Sequence, residues 1–163
     1  MEKILISACL IGQPVRYDGK IKSLADNQLA IWKSQGRLIA FCPEVAGGLP
    51  IPRTPAEIQG HGGGEAVLAG TARVVDRTGR DVSEQFVTGA FMALEACRRH
   101  GIRTAILTNR SPSCGSTLIY NGQFSRETIT GEGVTTALLR QHGIAVFSQY
   151  QIPDLTKTNH RGF

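Results

Sequence analysis

Three cysteines stand where a short apolar run breaks into a turn: Ile4-Leu5-Ile6-Ser7-Ala8-Cys9, Leu38-Ile39-Ala40-Phe41-Cys42-Pro43, and Ala105-Ile106-Leu107 leading into Arg110-Ser111-Pro112-Ser113-Cys114-Gly115. If the three runs are parallel strands of one sheet, all three thiols lie at its carboxyl edge, where open α/β sheets bind ligands. Three converging thiolates imply a metal or a cluster. Structural zinc closes with four Cys/His ligands, commonly paired as C-x2-4-C, and no such pair occurs here. Thiolates from three distant loops could still take zinc, with His61 or another residue as the fourth ligand. Thiolate softness equally permits an iron-sulfur cluster, and three cysteines on a four-iron cluster would leave one iron open to a substrate atom.

Elements that would position these thiols can be read along the chain. Lys3 to Ala8 is a β-rich run, Leu24 to Ser34 has helical spacing, and Arg37 to Phe41 is a second strand after Gly36, giving a βαβ unit. Pro43 to Gly64 is dense in Gly and Pro and reads as a long irregular loop. Ala66 to Leu68 and Ala72 to Val75 read as a short strand pair. The clearest helix runs from Ser83 to His100, with Gly101 as its stop and Asp81 or Ser83 as its cap. Arg103 to Leu107 is a third core strand. A short pair follows around Thr117 to Tyr120 and Gln123 to Phe124, turned by Asn121-Gly122, then a helix from Val134 to His142 and a last strand from Ile144 to Ser148. The alternation predicts an α/β fold: a single-domain, open, mostly parallel sheet with helices on both faces and the cysteines at the C-terminal ends of strands. The predicted domain covers 1–150, followed by a polar C-terminal tail, 151–163.

Composition agrees with that plan. The 163 residues, 41% of them hydrophobic, suit one compact domain with a real core. No stretch reaches the roughly 20 apolar residues of a membrane span, and Met1-Glu2-Lys3 enters the first strand without a signal-peptide layout, so a cytoplasmic protein is expected. In that reducing compartment four cysteines are thiols rather than disulfides. Cys97 lies on the apolar stripe of the Ser83 to His100 helix and reads as a small buried hydrophobe, outside any site. The net charge of +5 reflects 18 Lys+Arg against 13 Asp+Glu, but the cations are scattered and no aromatic-basic RNA motif accompanies them. A small molecule is therefore the expected partner, not nucleic acid or membrane. The Gly60 to Gly64 run and Gly131-Glu132-Gly133 match neither a P-loop nor a Rossmann fingerprint, although the start of the Val134 helix could accept a polar substrate edge.

Several ordered blocks carry a resemblance: Ile6-Ser7-Ala8-Cys9-Leu10-Ile11-Gly12, Val15-Arg16-Tyr17-Asp18-Gly19, Cys42-Pro43-Glu44-Val45-Ala46-Gly47-Gly48-Leu49-Pro50, Pro52-Arg53, and Arg110-Ser111-Pro112-Ser113-Cys114-Gly115. From the first strand to about Ser148 the chain resembles the thiouracil desulfidase family. The resemblance implies a [4Fe-4S] cluster held by Cys9, Cys42 and Cys114, whose fourth iron accepts sulfur from a thiolated pyrimidine, so that 2-thiouracil becomes uracil and sulfide. It further implies acid-base roles for Glu44 and Ser111. The pair Thr108-Asn109 departs from the lysine-containing sequence of the corresponding family block.

Independently of that resemblance, a carboxylate two residues after a ligand could exchange a proton with water or a ring nitrogen. Glu44 could instead simply pair with Arg16 or Arg53. Ser7 and Ser113 could donate to cluster sulfurs or merely stabilise turns, and Arg16, Tyr17 and Asp18 could line the pocket. Two alternatives stand beside a desulfidase: a non-catalytic cluster- or metal-binding sulfur carrier or sensor, and a zinc-bound structural protein.

Overall fold

The computed structural model describes residues 1–19 and 26–159. Four strands, β1 (Ile4–Ser7), β2 (Leu38–Phe41), β5 (Thr104–Ile106) and β8 (Ala145–Phe147), form one sheet in the order β2-β1-β5-β8. Every pairing in it is parallel. Strand order reverses at β1, which lies between β2 and β5, and such switch points open a crevice at the carboxyl edge. The chain connects these strands through α1 (Asn27–Ser34), α2 (Pro43–Ala46), β3 (Ala56–Gln59), α3 (Gly63–Ala69), β4 (Arg73–Asp76), α4 (Ser83–His100), β6 (Leu118–Tyr120), β7 (Thr128–Thr130) and α5 (Val134–Gln141), and the last described element is α6 (Ile152–Asn159).

The period of two along each strand divides the core into two layers. Leu5, Ala105 and Val146 face one side, packed with Phe86, Ala90 and Leu94 of α4 and Leu138 of α5. Ile4, Ile6 and Ile106 face the other, against Leu29 and Trp32 of α1 and Ile152 and Leu155 beyond the last strand. Helices therefore cover both faces, as the alternation of elements predicts. Trp32 and Phe86 are each 1% exposed, and burying side chains of this size stabilises by roughly 2–3 kcal/mol apiece. The segment after residue 150 is thus more than polar chain, because Ile152 and Leu155 complete the second layer. No described helix is long and apolar enough to cross a membrane.

The α4 helix occupies Ser83–His100, as its spacing predicts, and ends on Gly101 at φ 64°. Its N-cap position is Val82. Asp81 instead accepts from the Ser83 amide, while the Ser83 hydroxyl accepts from Val74. The α1 helix begins at Asn27 because Asp26 accepts from the Gln28 and Leu29 amides; Leu24 lies outside the described residues.

Three expectations need correction. Residues 66–68 are helical, within α3, which is bracketed by left-handed Gly62 and Gly70; a three-residue apolar run carries no period of its own. The β4 strand is real, but its antiparallel partner is β3, inside the stretch expected to be irregular. That stretch also holds the α2 turn, with Pro43 at its start, where a proline lacks no needed donor. Finally, Asn121-Gly122 opens a longer loop instead of closing a two-residue hairpin, since β6 pairs with Thr128–Thr130. Glu57 on β3 accepts the Gly122 and Phe124 amides and pulls that loop away from the hairpin path.

Candidate functional site

The carboxyl ends of three neighbouring strands bring the thiols together. Cys9 sits in a 3-10 turn after β1, Cys42 occupies the N-cap position of α2 directly after β2, and Cys114 lies in the loop after β5. All three line one cavity of about 920 Å³, together with Glu44, Ser111, Arg53, Arg16, Tyr17 and Thr108. Among the described residues no three His, Cys, Asp or Glu side chains are grouped so as to hold a single metal ion. The three thiols line one chamber. His61 is exposed and does not line the chamber. Cys97 is buried among α4 core residues, and desolvation pushes its thiol up to about 11.

Close backbone packing sets the turns that carry these side chains. A Cβ on Gly89 would meet the Pro43 carbonyl oxygen at 1.9 Å, and one on Gly47 would meet the Gln85 carbonyl at 2.0 Å. The α2 turn, with Cys42 and Glu44 on it, is thereby seated directly on the α4 backbone. The Cys114 loop is held likewise: a Cβ on Gly133 would lie 2.5 Å from the Ser113 carbonyl. The Val134 amide donates to Pro112, and the Thr135 and Thr136 amides donate to Ser113. The start of α5 therefore anchors the cysteine loop, and its amides do not serve a substrate edge.

Two polar side chains finish that loop. Ser111 Oγ accepts the Cys114 amide at 2.7 Å. Asn109, 9% exposed, accepts the amides of Arg110, Ser116, Thr117 and Leu118 on a single Oδ1 and donates from Nδ2 to Thr117. Sequence reasoning noticed Asn109 only as a departure from a motif. The available signal was the preference of Asn for turns in which its side chain binds nearby amides. Thr108 was missed in the same way: its hydroxyl lies 3.0 Å from Cys9 Sγ, across 99 positions of sequence.

The chamber disfavours charge that is not compensated. Burial raises the Cys114 thiol far above the usual range, and negative charge on Glu44, Cys42 and Cys9 raises it further. Burial also raises Cys42, opposed by the Val45 amide and reinforced by Glu44. Glu44 is raised by burial, which outweighs the nearby Arg53 guanidinium. Arg53 is the partner of Glu44: its Nε donates to Oε1 at 3.1 Å, while its terminal nitrogens donate to the Pro50 and Val15 carbonyls. Arg16 instead stands 3.9 Å from Asp18. Ser7 lines the chamber and accepts the Thr108 amide, whereas Ser113 pairs with Thr135 and sits 3.7 Å from Cys114 Sγ.

Known proteins resemble this chain over nearly its whole length. The chain is 52% identical, with a TM-score of 0.89, to a solved structure of a [4Fe-4S]-dependent thiouracil desulfidase, TudS, over 98% of this chain and 99% of that one. It is 44% identical to the uncharacterized protein YbbK of Bacillus subtilis (strain 168) over 158 residues, which is 93% of this chain and 99% of the relative. The model of the 2-thiouracil desulfurase family matches residues 4–151, from the start of the first strand to beyond the last. With the fold and nearly the whole length in common, the chain belongs to the 2-thiouracil desulfurase family.

Proposed function

We propose that this chain is a [4Fe-4S]-dependent desulfidase that removes the sulfur of a thiolated pyrimidine such as 2-thiouracil as sulfide, leaving uracil. The observation that carries this reading is the meeting of Cys9, Cys42 and Cys114, from three adjacent strand ends, in one chamber with the partly buried carboxyl of Glu44. The donor set fits the cofactor. Burial and the negative charge of Glu44, Cys42 and Cys9 disfavour the Cys114 thiolate, a bound cation would compensate that charge, and thiolates are the usual ligands of such clusters. Cys9, Cys42 and Cys114 would hold it. When bound, the cluster supplies an iron without a protein ligand, a Lewis acid suited to the soft sulfur of a thiocarbonyl.

The chain's own residues handle position and protons. Arg53 fixes Glu44 through Oε1, so Oε2 is the atom that takes a proton from the attacking water and returns it to the product. Burial keeps that carboxyl nearer neutrality than an exposed one, which suits exchange in both directions. Water adds its oxygen to the ring carbon, the carbon–sulfur bond breaks, and two protons leave with the sulfur as hydrogen sulfide. Ser111 Oγ accepts the Cys114 amide and keeps its own O–H to donate to the substrate. Phe41, Pro43 and Pro112 give the chamber apolar wall for a flat ring. Its volume lies within the range of roughly 300–1,000 Å³ typical of small-molecule sites, which supports a free small molecule over nucleic acid. Reduced thiols at the site support a cytoplasmic location.

The test is sulfide and uracil release from 2-thiouracil by anaerobically reconstituted protein, with iron counted in the same preparation. Wild type should turn over, and Glu44→Gln should retain its iron while losing at least about 100-fold in kcat. A wild-type protein that carries a full cluster and releases no sulfide would overturn the reading.

A further inference from the structure

Thr108 is a chamber residue that the mechanism does not use. It lies two positions beyond the end of β5, beside the end of β1, at the point where strand order reverses. The β1–β5 ladder stops at the pair Ile6 and Ile106. Beyond that pair a side-chain bridge continues it: the Thr108 amide donates to Ser7 Oγ at 2.9 Å. Ser7 is itself 3% exposed. The Leu107 amide donates to Phe147 on the other side. Backbone on both flanks is therefore held before the Thr108 side chain is placed. That side chain puts Oγ1 3.0 Å from Cys9 Sγ.

We infer that Thr108 is a positioning residue that donates a hydrogen bond to the Cys9 sulfur when Cys9 is a ligand, and so tunes the cluster. The inference rests on the desulfidase reading above. A coordinating Cys9 has lost its proton, so in this pair only the Thr108 O–H can donate. A donor to a ligand sulfur withdraws electron density from it and stabilises the more negative, reduced state of the cluster. Removing the donor lowers the reduction potential and makes oxidative loss of the cluster easier. At Cys114 the corresponding contact is longer: Ser113 Oγ is 3.7 Å from its sulfur and also pairs with Thr135 Oγ1 at 3.0 Å. Cys42 is served by backbone amides, those of Val45 and Glu44, so the close side-chain hydroxyl falls on Cys9, the thiol at the switch point of the sheet.

The experiment compares wild type, Thr108→Val, Thr108→Ala and Thr108→Ser, all reconstituted anaerobically and counted for iron and sulfide. Two readouts are followed: the reduction potential of the cluster, by its electron paramagnetic resonance during a redox titration, and the half-life of its sulfur-to-iron absorption in air. Thr108→Val and Thr108→Ala should load the cluster, show a lower potential and lose absorption at least about threefold faster. Thr108→Ser, which keeps the hydroxyl, should restore both values. A potential and half-life unchanged in the two variants lacking a hydroxyl would overturn the inference, as would a Thr108→Ser protein that behaves like them. Failure of both of those variants to load, with Thr108→Ser loading and matching wild type, would support it in a stronger form. A wild-type chain that loads no cluster would sink the desulfidase reading, and this inference with it; failure confined to the variants' readouts touches the inference alone.

Discussion

Around the thiols, backbone meets backbone. Gly89 lies under the Pro43 carbonyl, Gly47 on that of Gln85, and Gly133 on Ser113, each at a distance that leaves no room for a Cβ. Around the exposed part of the same cavity, side chains face solvent: Tyr17 and Tyr150 are 42% and 67% exposed, and Arg110 and Arg126 are exposed as well. Arg110, Phe124 and Arg126, all of which line the cavity, adopt φ values of 78°, 54° and 65° without being glycines. Such conformations persist only where surrounding structure imposes them. The difference teaches where accuracy is required. Groups that share a cofactor must keep one relative position, and interlocked backbones supply this. A lining that admits and releases a ligand needs chemistry more than rigidity, and long polar side chains supply that.

The contrast can be broken most severely at the seated turn. Gly89→Ala forces α2 off α4, and overpacking against backbone should cost about 3 kcal/mol or more. Urea unfolding should show this, together with loss of reconstituted iron, because Cys42 and Glu44 move together. Next in size is Asn109→Ala, which strips the Ser116, Thr117 and Leu118 amides of their acceptor, the Arg110 amide keeping the Leu118 carbonyl. A stability loss of about 3 kcal/mol and a lower iron content are expected, the Cys114 loop being the part disturbed. Smaller again is Arg53→Met, which leaves the Glu44 carboxyl without its partner and frees the Val15 and Pro50 carbonyls. A loss of about 2 kcal/mol is expected, with iron content close to wild type, since Arg53 touches no thiol. On the exposed lining, Arg126→Gly should change stability by less than about 0.5 kcal/mol, because relief of the left-handed strain offsets the added freedom of the unfolded chain. A rim substitution as costly as Gly89→Ala would erase the distinction.

Local signals and long-range ones separate just as clearly when sequence and structure are set side by side. The α4 helix was legible because apolar spacing, a stop at Gly101 and length all act within one segment. Three thiol-bearing strand ends were legible for the same reason, each being an apolar run cut by a turn. Cys97 was separable from the other thiols by its helical phase alone. In contrast, β3 exists because β4 pairs with it, and nothing within Ala56–Gln59 announces that partner. The α3 helix depends on Gly64 resting against Gly133, nearly seventy residues on, a contact its own short pattern cannot encode. Thr108 and Asn109 belong to this second kind. Their importance lies in which sulfur and which amides they reach, and the fold alone decides that. Glu44 stands between: its place two residues after Cys42 is local, whereas the choice of Arg53 over Arg16 as its partner is tertiary.

The account turns on three particular thiols out of four, and single substitutions test it most directly. Cys9→Ala, Cys42→Ala, Cys114→Ala and Cys97→Ala should be reconstituted in parallel under anaerobic conditions, then measured for iron, acid-labile sulfide and sulfide release from 2-thiouracil. The prediction is that Cys97→Ala keeps four irons and activity close to wild type, while each of the other three loses both the intact cluster and turnover. A Cys97→Ala protein that fails to hold the cluster, or any one of the other three that holds it and turns over like wild type, would contradict the assignment of the chamber.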